Sequence, residues 1–371
     1  MAAYKIYSSL LLGGVLLLLL LTAVFNRVVD PFWYYRDIAI SGFNTVKPKF
    51  RRYERHVKPS VVQREQPASL IFGSSYAEIG FDPLHPALLR AGKSYNFALA
   101  GAAWEDVYCQ VQYAFAHDKA LRQIVIGIHP QAMPRKDCAA EIKKMAYPDE
   151  RMFILSIDAL KASIGTVMEQ NNQPSHTAEG LYLYTRNTPG AMTRFREHAK
   201  QTSPCQRNPK PATTLDLEGL REIVRQAAER NIVLNLVVYP RHALWVEWQY
   251  RCQARASRWQ QLAEIAAMVK QQAGKNERIA LWSFEGYHAL ATEAVSDASI
   301  YWQDPAHFNT EFGNVMLDEM FGLEPARIGK NLIAANVVVA ALFDQERDER
   351  AAFLASHPDF SEQLRAITGK Q

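Results

Sequence analysis

Several features that identify common protein classes are missing from this sequence. Its cysteines form no CxxC pair, so neither a zinc site nor a dithiol motif is indicated, and we expect no metal and no cofactor. Internal repeats and low-complexity tracts are also absent, which excludes a repeat architecture. With 42 basic and 38 acidic residues the net charge is only +4, too small to indicate a nucleic-acid partner.

The four cysteines, Cys109, Cys138, Cys205 and Cys252, leave two interpretations open. Buried free thiols are the simpler one. In an exported domain, Cys138 and Cys205 would instead form a disulfide across a loop-rich insertion, because oxidising compartments permit disulfides.

A long hydrophobic run stands at the amino terminus. Ile6 to Phe25 contains no charged residue and is dominated by leucine. About 20 such residues form a helix of roughly 30 Å, which is enough to cross a bilayer. The run ends without the small-residue cleavage site of a signal peptide. We therefore predict an uncleaved membrane anchor in residues 1–30.

The segment after this run is basic and aromatic. The positive-inside rule applied to its basic residues alone would place the following domain in the cytoplasm. These residues are Arg27, Arg36, Lys47, Lys49, Arg51, Arg52 and Arg55. The aromatic stretch Asp30–Tyr35 has the composition preferred at a membrane interface. We interpret residues 31–66 as a juxtamembrane connector.

From residue 67 onward, predicted strands alternate with predicted helices. The strands are Ser69–Phe72, Ser94–Ala98, Arg122–Ile128, Ile232–Val238 and Ile279–Phe284. The helices are Pro83–Arg90 (with Asp82 as N-cap), Trp104–His117, Phe153–Met168, Leu215–Glu229 (capped by Thr214 or Asp216), much of His242–Gln272, and Thr310–Phe321. This alternation predicts a parallel sheet in a three-layer α/β/α domain at residues 67–322. An irregular insertion occupies about residues 130–211, and residues 323–371 form a helical tail.

Hydroxyl groups follow the first predicted strand directly. Ser74 and Ser75 come after Gly73, at the end of the strand where open α/β folds bind their ligands. A serine there becomes a nucleophile only if a base removes its proton. Asp304 and His307 stand three residues apart, so that on one turn the imidazole would be the base and the carboxylate would orient it.

Each of these patterns also has a simple structural explanation. A Gly-Ser-Ser after a strand is more often a turn or a helix N-cap, and a D-x-x-H pair is common by chance. The turn after the second strand adds Gly101, whose backbone N–H is the natural donor to an oxyanion. The combination of the three patterns within one α/β domain predicts a catalytic site.

The three motifs resemble the conserved blocks of the SGNH hydrolase superfamily. Gly73-Ser-Ser75 is similar to its Gly-Asp-Ser block, with a serine in place of the aspartate. Tyr95–Gly101 is similar to its glycine block, and Asp304-Pro-Ala-His307 to its final D-x-x-H block. The resemblance covers about residues 20–322, with the middle insertion unmatched.

The closer resemblance is to the membrane-anchored branch of that superfamily, which includes periplasmic alginate O-acetylation proteins and the D-alanyl transfer protein of teichoic acid modification. That branch shares the amino-terminal anchor and the Gly-Ser-Ser variant. Gly80-Phe-Asp-Pro83 and the aromatic segment Trp282–Tyr287 are similar to it as well.

The resemblance implies roles for individual residues. Ser75 would be the nucleophile, His307 the base and Asp304 its orienter. Gly101 would donate to the oxyanion, and Asn96, in the same block, would take part in oxyanion or substrate binding.

The third block departs from the superfamily. Where the superfamily has an asparagine that donates to the oxyanion, strand three ends in Gly127-Ile-His129-Pro130. His129 either takes over that donor role, since an imidazole N–H can donate, or is purely structural. His85 and His288, near the first and last blocks, are alternative bases.

These implications lead to one expected function. We expect a single-pass protein of the bacterial inner membrane whose periplasmic domain is an acyl esterase or O-acyltransferase, working through an acyl-serine intermediate. The resemblance implies a polysaccharide or cell-envelope polymer as acceptor and a polytopic membrane acyltransferase as the source of the acyl group. Four tryptophans would stack on sugar rings or pack in the core, Trp104, Trp245, Trp248 and Trp302.

Two alternatives remain open. The first is a non-catalytic, SGNH-shaped binding or scaffold component of a polysaccharide modification or export complex. The second is a cytoplasm-facing anchored protein, which the basic residues after the hydrophobic run favour.

Overall fold

One six-stranded sheet organises the chain in a computed structural model that describes residues 2–183, 190–201 and 214–368. The spatial order of the strands is β2-β1-β3-β4-β5-β6. In chain order they are β1 (Ser69–Phe72), β2 (Ser94–Asn96), β3 (Gln123–Ile128), β4 (Val233–Val238), β5 (Ile279–Ser283) and β6 (Lys330–Asn331). The first five are parallel to one another, whereas β6 is antiparallel to β5. The prediction of an α/β fold with a parallel sheet is therefore confirmed.

Helices connect the strands and continue past them. They are α1 (Ala2–Val29), α2 (Glu54–Glu65), α3 (Ser75–Gly80), α4 (Pro86–Leu89), α5 (Trp104–His117), α6 (Ala139–Ala146), α7 (Arg151–Ile154), α8 (Ile157–Met168), α9 (Ala191–Gln201), α10 (Glu218–Glu229), α11 (Ala243–Arg251), α12 (Arg255–Ala273), α13 (Thr310–Met320), α14 (Val339–Ser356) and α15 (Pro358–Thr368). A short 3-10 helix at Phe50–Arg52 precedes α2.

Several predicted helices have different boundaries in the structure. Asp82 does not cap a helix, because its Oδ1 accepts from Leu84 N within a turn, and α4 begins later, capped by His85. The predicted helix over 153–168 is divided into α7 and α8, with Ser156 as the N-cap of α8. The predicted helix over 242–272 is divided into α11 and α12 by Gln253, which has φ +55°. α10 begins at Glu218, three residues after its predicted start.

Both faces of the sheet are covered by apolar side chains. In β1, Leu70 and Phe72 belong to one buried cluster while Ile71 belongs to another on the opposite face. Ile124 and Val125 of β3 divide between the two clusters in the same way. Because both faces are packed, the strands are continuous apolar runs rather than alternating ones.

Helix α1 is long and apolar enough to cross a membrane, and its apolar side chains from Ile6 to Leu21 are largely exposed. Its carboxyl end is built into the rest of the protein. Asn26 is buried and donates to Ile154 O at 2.9 Å, and Lys47 Nζ donates to Val29 O at 2.6 Å. The helix therefore leaves the domain from a fixed attachment point.

The aromatic residues after α1 pack into the domain. Phe32 is 1% exposed and Tyr34 is 6% exposed, and the Tyr34 ring stacks on Phe153 at 4.1 Å. The Asp30 carboxylate accepts backbone N–H groups from residues 34, 35 and 36, which fixes the turn. This stretch was expected at a membrane interface, but two of its rings lie in the core of the domain.

A disulfide joins Cys109 in α5 to Cys138, the residue before α6. The expected Cys138–Cys205 pairing is therefore wrong, and Cys205 itself lies outside the described residues. The interpretation of the cysteines as free thiols is wrong as well, since the part of the chain that the structure describes has no free cysteine.

Candidate active site

The first element of the site is the sharp turn after β1. Gly73 has φ +146°, a conformation that favours glycine, and a Cβ at this position would lie 2.1 Å from Tyr239 Oη. Ser74 follows as the N-cap of α3, and Ser75 is the first residue of that helix. The turn therefore presents Ser75 at the carboxyl end of the sheet, the edge where α/β folds bind ligands.

The second element is the loop between β5 and α13. Asp304 Oδ1 accepts the backbone N–H groups of Ala306 at 2.8 Å and His307 at 2.9 Å, which closes a tight turn. The same turn carries both side chains toward β1. The spacing of the D-x-x-H motif is what allows one carboxylate to hold the turn and the imidazole together.

The structure brings Ser75, His307 and Asp304 into one hydrogen-bonded chain. Ser75 Oγ lies 2.8 Å from His307 Nε2, and His307 Nδ1 lies 2.8 Å from Asp304 Oδ2. These distances are within the reach required between a nucleophile, its base and the group that orients the base. The catalytic role of the three residues stays a prediction, and the geometry that it requires is present.

The carboxylate of Asp304 is held in its charged form. Burial by itself would raise its pKa, but the charge and hydrogen bond of His307 and the backbone N–H donors outweigh burial and hold the pKa well below its usual range. Asp304 is 7% exposed, whereas the His307 side chain is 20% exposed. A charged, buried carboxylate thus stands behind an imidazole that solvent or substrate can approach.

Two tyrosines that the sequence analysis did not single out complete the surroundings of Ser75. The Tyr76 ring stacks on His307, with centroids 4.3 Å apart and an interplanar angle of 10°. Tyr239 Oη accepts from Ser74 N at 3.0 Å, and burial raises the pKa of this phenol to about 12. The sequence contains one signal for Tyr239, because a glycine inside a strand, here Gly127 of β3, indicates that another group lies close to the backbone. A Cβ there would lie 2.1 Å from the Tyr239 ring.

The glycine block lies next to the Ser75 turn. Leu99 N donates to Gly73 O at 3.1 Å, and Ala102 N donates to Leu99 O at 3.0 Å. Gly101, between them in the chain, is exposed and has φ +70°. This turn is therefore tied to the Ser75 turn and leaves Gly101 accessible.

Asn96 is fully buried and engaged within the protein. Its Nδ2 donates to Ala77 O and Phe81 O, both at 3.0 Å, and its Oδ1 accepts from Ala98 N at 3.1 Å. These bonds connect β2 to α3. They favour a positioning role over direct contact with substrate.

The alternative bases are engaged elsewhere. His85 Nδ1 accepts from Ala87 N as a helix cap, and its Nε2 lies 3.4 Å from Asp318. His288 Nε2 lies 2.9 Å from Phe284 O. Neither contact involves Ser75, so His307 is the base candidate that the structure favours.

Three of the four singled-out tryptophans are core residues. Trp104, Trp248 and Trp302 are 6%, 5% and 1% exposed, which fits packing rather than sugar stacking. Trp245 is half-buried and contacts the Arg241 guanidinium.

A cleft of about 470 Å³ lies between the insertion and the segment around Gln303, and Ser75, His307 and Asp304 are not among its lining residues. One wall comes from the insertion, at Gln173, Pro174 and residues 181–183. The other wall includes Ile79 of α3 and Gln303, the residue before Asp304. The insertion therefore shapes a groove that reaches Gln303, the chain neighbour of Asp304.

Within the described residues, one cluster has the spacing of metal ligands: Glu54, Glu78 and His176, all buried. Lys58 Nζ donates to Glu78 Oε1 at 2.7 Å inside the same cluster. A buried ammonium already compensates the carboxylate, which opposes the binding of a divalent cation.

Comparisons with protein-family models, with curated proteins and with solved structures found no match to this chain.

Proposed function

We propose that this chain is a membrane-anchored acyl esterase or O-acyltransferase of the SGNH type, acting on a polysaccharide or another cell-envelope polymer. The observation that carries the proposal is the hydrogen-bonded chain from Ser75 through His307 to Asp304 at the carboxyl end of a parallel sheet. A sheet covered on both faces is compatible with the three-layer arrangement that this superfamily implies.

The proposed mechanism begins with attack of Ser75 Oγ on an ester carbonyl carbon. His307 Nε2 takes the hydroxyl proton, and the buried Asp304 carboxylate stabilises the imidazolium that forms. The carbonyl electron pair moves to the oxygen, which accepts hydrogen bonds from the N–H groups of Ser75 and Gly101. Collapse of the intermediate expels the alcohol, which takes its proton from His307. The acyl group on Ser75 then passes to water or to a polymer hydroxyl by the reverse sequence.

A periplasmic location is supported by the Cys109–Cys138 disulfide, because disulfides persist in oxidising compartments. The attachment of α1 to the domain through Asn26 and Lys47 supports an uncleaved anchor. The proposed arrangement is a single-pass protein of the bacterial inner membrane with its domain in the periplasm.

The basic residues that follow the apolar run have a structural role in this arrangement. Five of the seven form ion pairs: Arg27 with Asp37, Arg36 with Glu65, Lys49 with Glu169, Arg52 with Asp158 and Arg55 with Asp106. These contacts give the basic residues a role that does not depend on membrane topology.

The cleft that reaches Gln303 supports an extended acceptor. Its volume of about 470 Å³ is within the range of ligand sites. Polar groups at Gln173, Gln303 and Asn309 line it, as a site for a hydroxyl-rich polymer would require. A polytopic membrane acyltransferase, as the resemblance implies, would supply the acyl group for transfer.

The direct test compares Ser75→Ala with Ser74→Ala in the full chain, purified in detergent and supplied with a small chromogenic acetyl ester. Removing the nucleophile should lower the rate by at least 10³-fold. Ser74 is the matched control because its Oγ takes no part in the hydrogen-bonded chain from Ser75 to Asp304, so its loss should change the rate less than about threefold. Equal activity of wild type and Ser75→Ala would reject catalysis and favour the scaffold alternative.

A reporter fused to the carboxyl terminus tests the location. An enzyme that folds only in the periplasm should be active in this fusion, and a cytoplasm-only reporter should be inactive. The opposite pattern would contradict the periplasmic placement and support a cytoplasm-facing domain.

A further inference from the structure

His129 and Arg241 meet at the same edge of the sheet as Ser75. His129 is the first residue after β3, and Arg241 follows β4 by three residues. These strands are parallel neighbours, with Ile128 opposite Val238, so the residues that follow them emerge side by side. The Tyr76 ring links the pair to the candidate triad, since it contacts both His129, at 5.1 Å, and His307, at 4.3 Å.

The contact between the two residues fixes where the proton of His129 is placed. Arg241 Nη2 lies 3.3 Å from His129 Nδ1. A guanidinium has donors and no acceptor, so Nδ1 must accept and carries no proton. A neutral imidazole has one N–H, which is then on Nε2.

The surroundings of His129 keep it neutral. Burial and the positive charges of Arg241 and Arg258 lower its pKa well below the usual value, and protonation of His307 would lower it further. The rings of Tyr76 and Tyr239 also contact His129.

Arg241 is rigidly placed for this contact. It is 7% exposed, and its guanidinium lies over the Tyr76 ring at 4.6 Å and the Trp245 ring at 5.5 Å. Among the residues that the structure describes, its Nε and Nη1 have no hydrogen-bond partner. Burying a guanidinium with so few partners is unfavourable for stability, which points to a role in the site rather than in the core.

We propose that Arg241 is a positioning residue that holds His129 as the Nε2–H tautomer, so that His129 donates to the oxyanion. The proposal rests on the proposed function and deepens it. When Ser75 Oγ bonds to the carbonyl carbon and His307 takes its proton, the carbonyl electron pair becomes an oxyanion lone pair. The His129 Nε2–H donates to that oxygen, as the third-block asparagine would in the superfamily that this chain resembles.

The first test reads the tautomer without any substrate. The full chain in detergent is labelled with ¹⁵N in its histidine rings, and His129→Asn assigns the His129 signals. The wild type should show the Nε2–H pattern near neutral pH, and Arg241→Met should lose it or mix the tautomers. An Nδ1–H tautomer or an imidazolium in the folded wild type would overturn the proposal, whatever the protein's activity.

The second test is a double-mutant cycle on ester hydrolysis. Arg241→Met should lower kcat by about 10- to 100-fold, below the 10²- to 10³-fold loss typical of deleting an oxyanion donor. In a His129→Asn background, where the amide donates without help, the same change should lower kcat less than about threefold. Equal losses in both backgrounds would overturn the role of Arg241.

Two controls keep these tests decisive. Thermal melting of each variant separates a folding defect from a change in the site. If Arg241→Met does not fold, Arg241→Leu takes its place. Arg241→Lys is the conservative control, since its ammonium still donates but lacks the planar fork, and it should keep the Nε2–H tautomer and most of the activity. A wild type that is inactive, with the Nε2–H tautomer present, would reject the proposed function and leave the placement of the proton by Arg241 established.

Discussion

Helix α3 takes part in two polar clusters that use similar residues in different surroundings. At its first residue, Ser75 meets His307 and Asp304 (the Ser75 cluster). One turn later Glu78 meets Lys58 and His176, with Glu54 beside them (the Lys58 cluster). Both contain a histidine paired with carboxylate, so the residue types alone do not distinguish them.

The two clusters differ in their solvent exposure and in the partners of their histidines and carboxylates. The His307 side chain is 20% exposed and its Nε2 contacts a hydroxyl, whereas His176 is 1% exposed and lies between two carboxylates. Lys58 Nζ contacts Glu78 at 2.7 Å and also donates to Ala98 O at 2.5 Å and Gly180 O at 3.2 Å. The Lys58 cluster is therefore sealed and structural, and it holds the turn that contains Gly101. The Ser75 cluster is open on the side where a substrate would arrive.

The largest expected effect comes from Asp304→Asn. The asparagine Oδ1 can keep the backbone bonds of the turn, but its Nδ2 would donate to His307 Nδ1 and move the imidazole proton to Nε2, where it blocks proton transfer from Ser75. We expect kcat for ester hydrolysis to fall by about 10³- to 10⁴-fold with little change in the melting temperature. A rate within tenfold of wild type would show that the Ser75 cluster is as structural as the Lys58 cluster.

Lys58→Met tests the sealed cluster by leaving the Glu78 charge buried without its main partner. We expect the free energy of unfolding to fall by about 3–5 kcal/mol in chemical denaturation. Lys49→Met is the matched control, since Lys49 forms a surface ion pair with Glu169 and should change stability by less than about 1 kcal/mol. Similar values for the two variants would contradict the structural interpretation of Lys58.

Features set by local sequence patterns could be predicted, as the strands and one helix show. Five strands and the Trp104–His117 helix follow from apolar runs and helical periodicity, which local chemistry sets. The juxtaposition of Ser75 with His307 was expected from motif resemblance and strand topology. β6 was not expected, because a two-residue edge strand leaves no periodic pattern.

The residues that were missed depend on tertiary contacts. Lys58 in α2 and Glu78 in α3 are charged residues twenty positions apart, and only the tertiary fold buries them together. The Cys109–Cys138 pairing follows from how α5 packs near α6, since cysteine spacing does not determine connectivity. Arg241 contacts His129 because β4, the strand before it, pairs with β3.

Acid titration gives a further measure of the Lys58 cluster. Burial alone would raise the pKa of Glu78, but Lys58 and His176 outweigh it and lower the pKa from 4.5 to about 2. A carboxyl whose folded pKa is depressed contributes stability above its unfolded pKa, and that stability is lost as pH falls through the folded value. We expect the melting temperature of wild type to fall between pH 4.5 and about 2, and that of Glu78→Gln to fall less steeply. Parallel curves would show that Glu78 is not the titrating group.

The smallest effect is expected for the hydrogen bond that holds the backbone of the turn before Ser75. Tyr239→Phe removes the acceptor of Ser74 N, and an unsatisfied buried N–H lowers stability by about 1–3 kcal/mol. Because Ser74 directly precedes the nucleophile, kcat should also fall by about tenfold, the loss typical of small misplacement. Tyr108→Phe removes a phenol hydrogen bond to Glu222 in α10, away from this turn, and should lower stability without changing kcat. If both variants lost activity in proportion to stability, the tyrosine would be supporting the core, and positioning of Ser75 would rest on Gly73 and α3 alone.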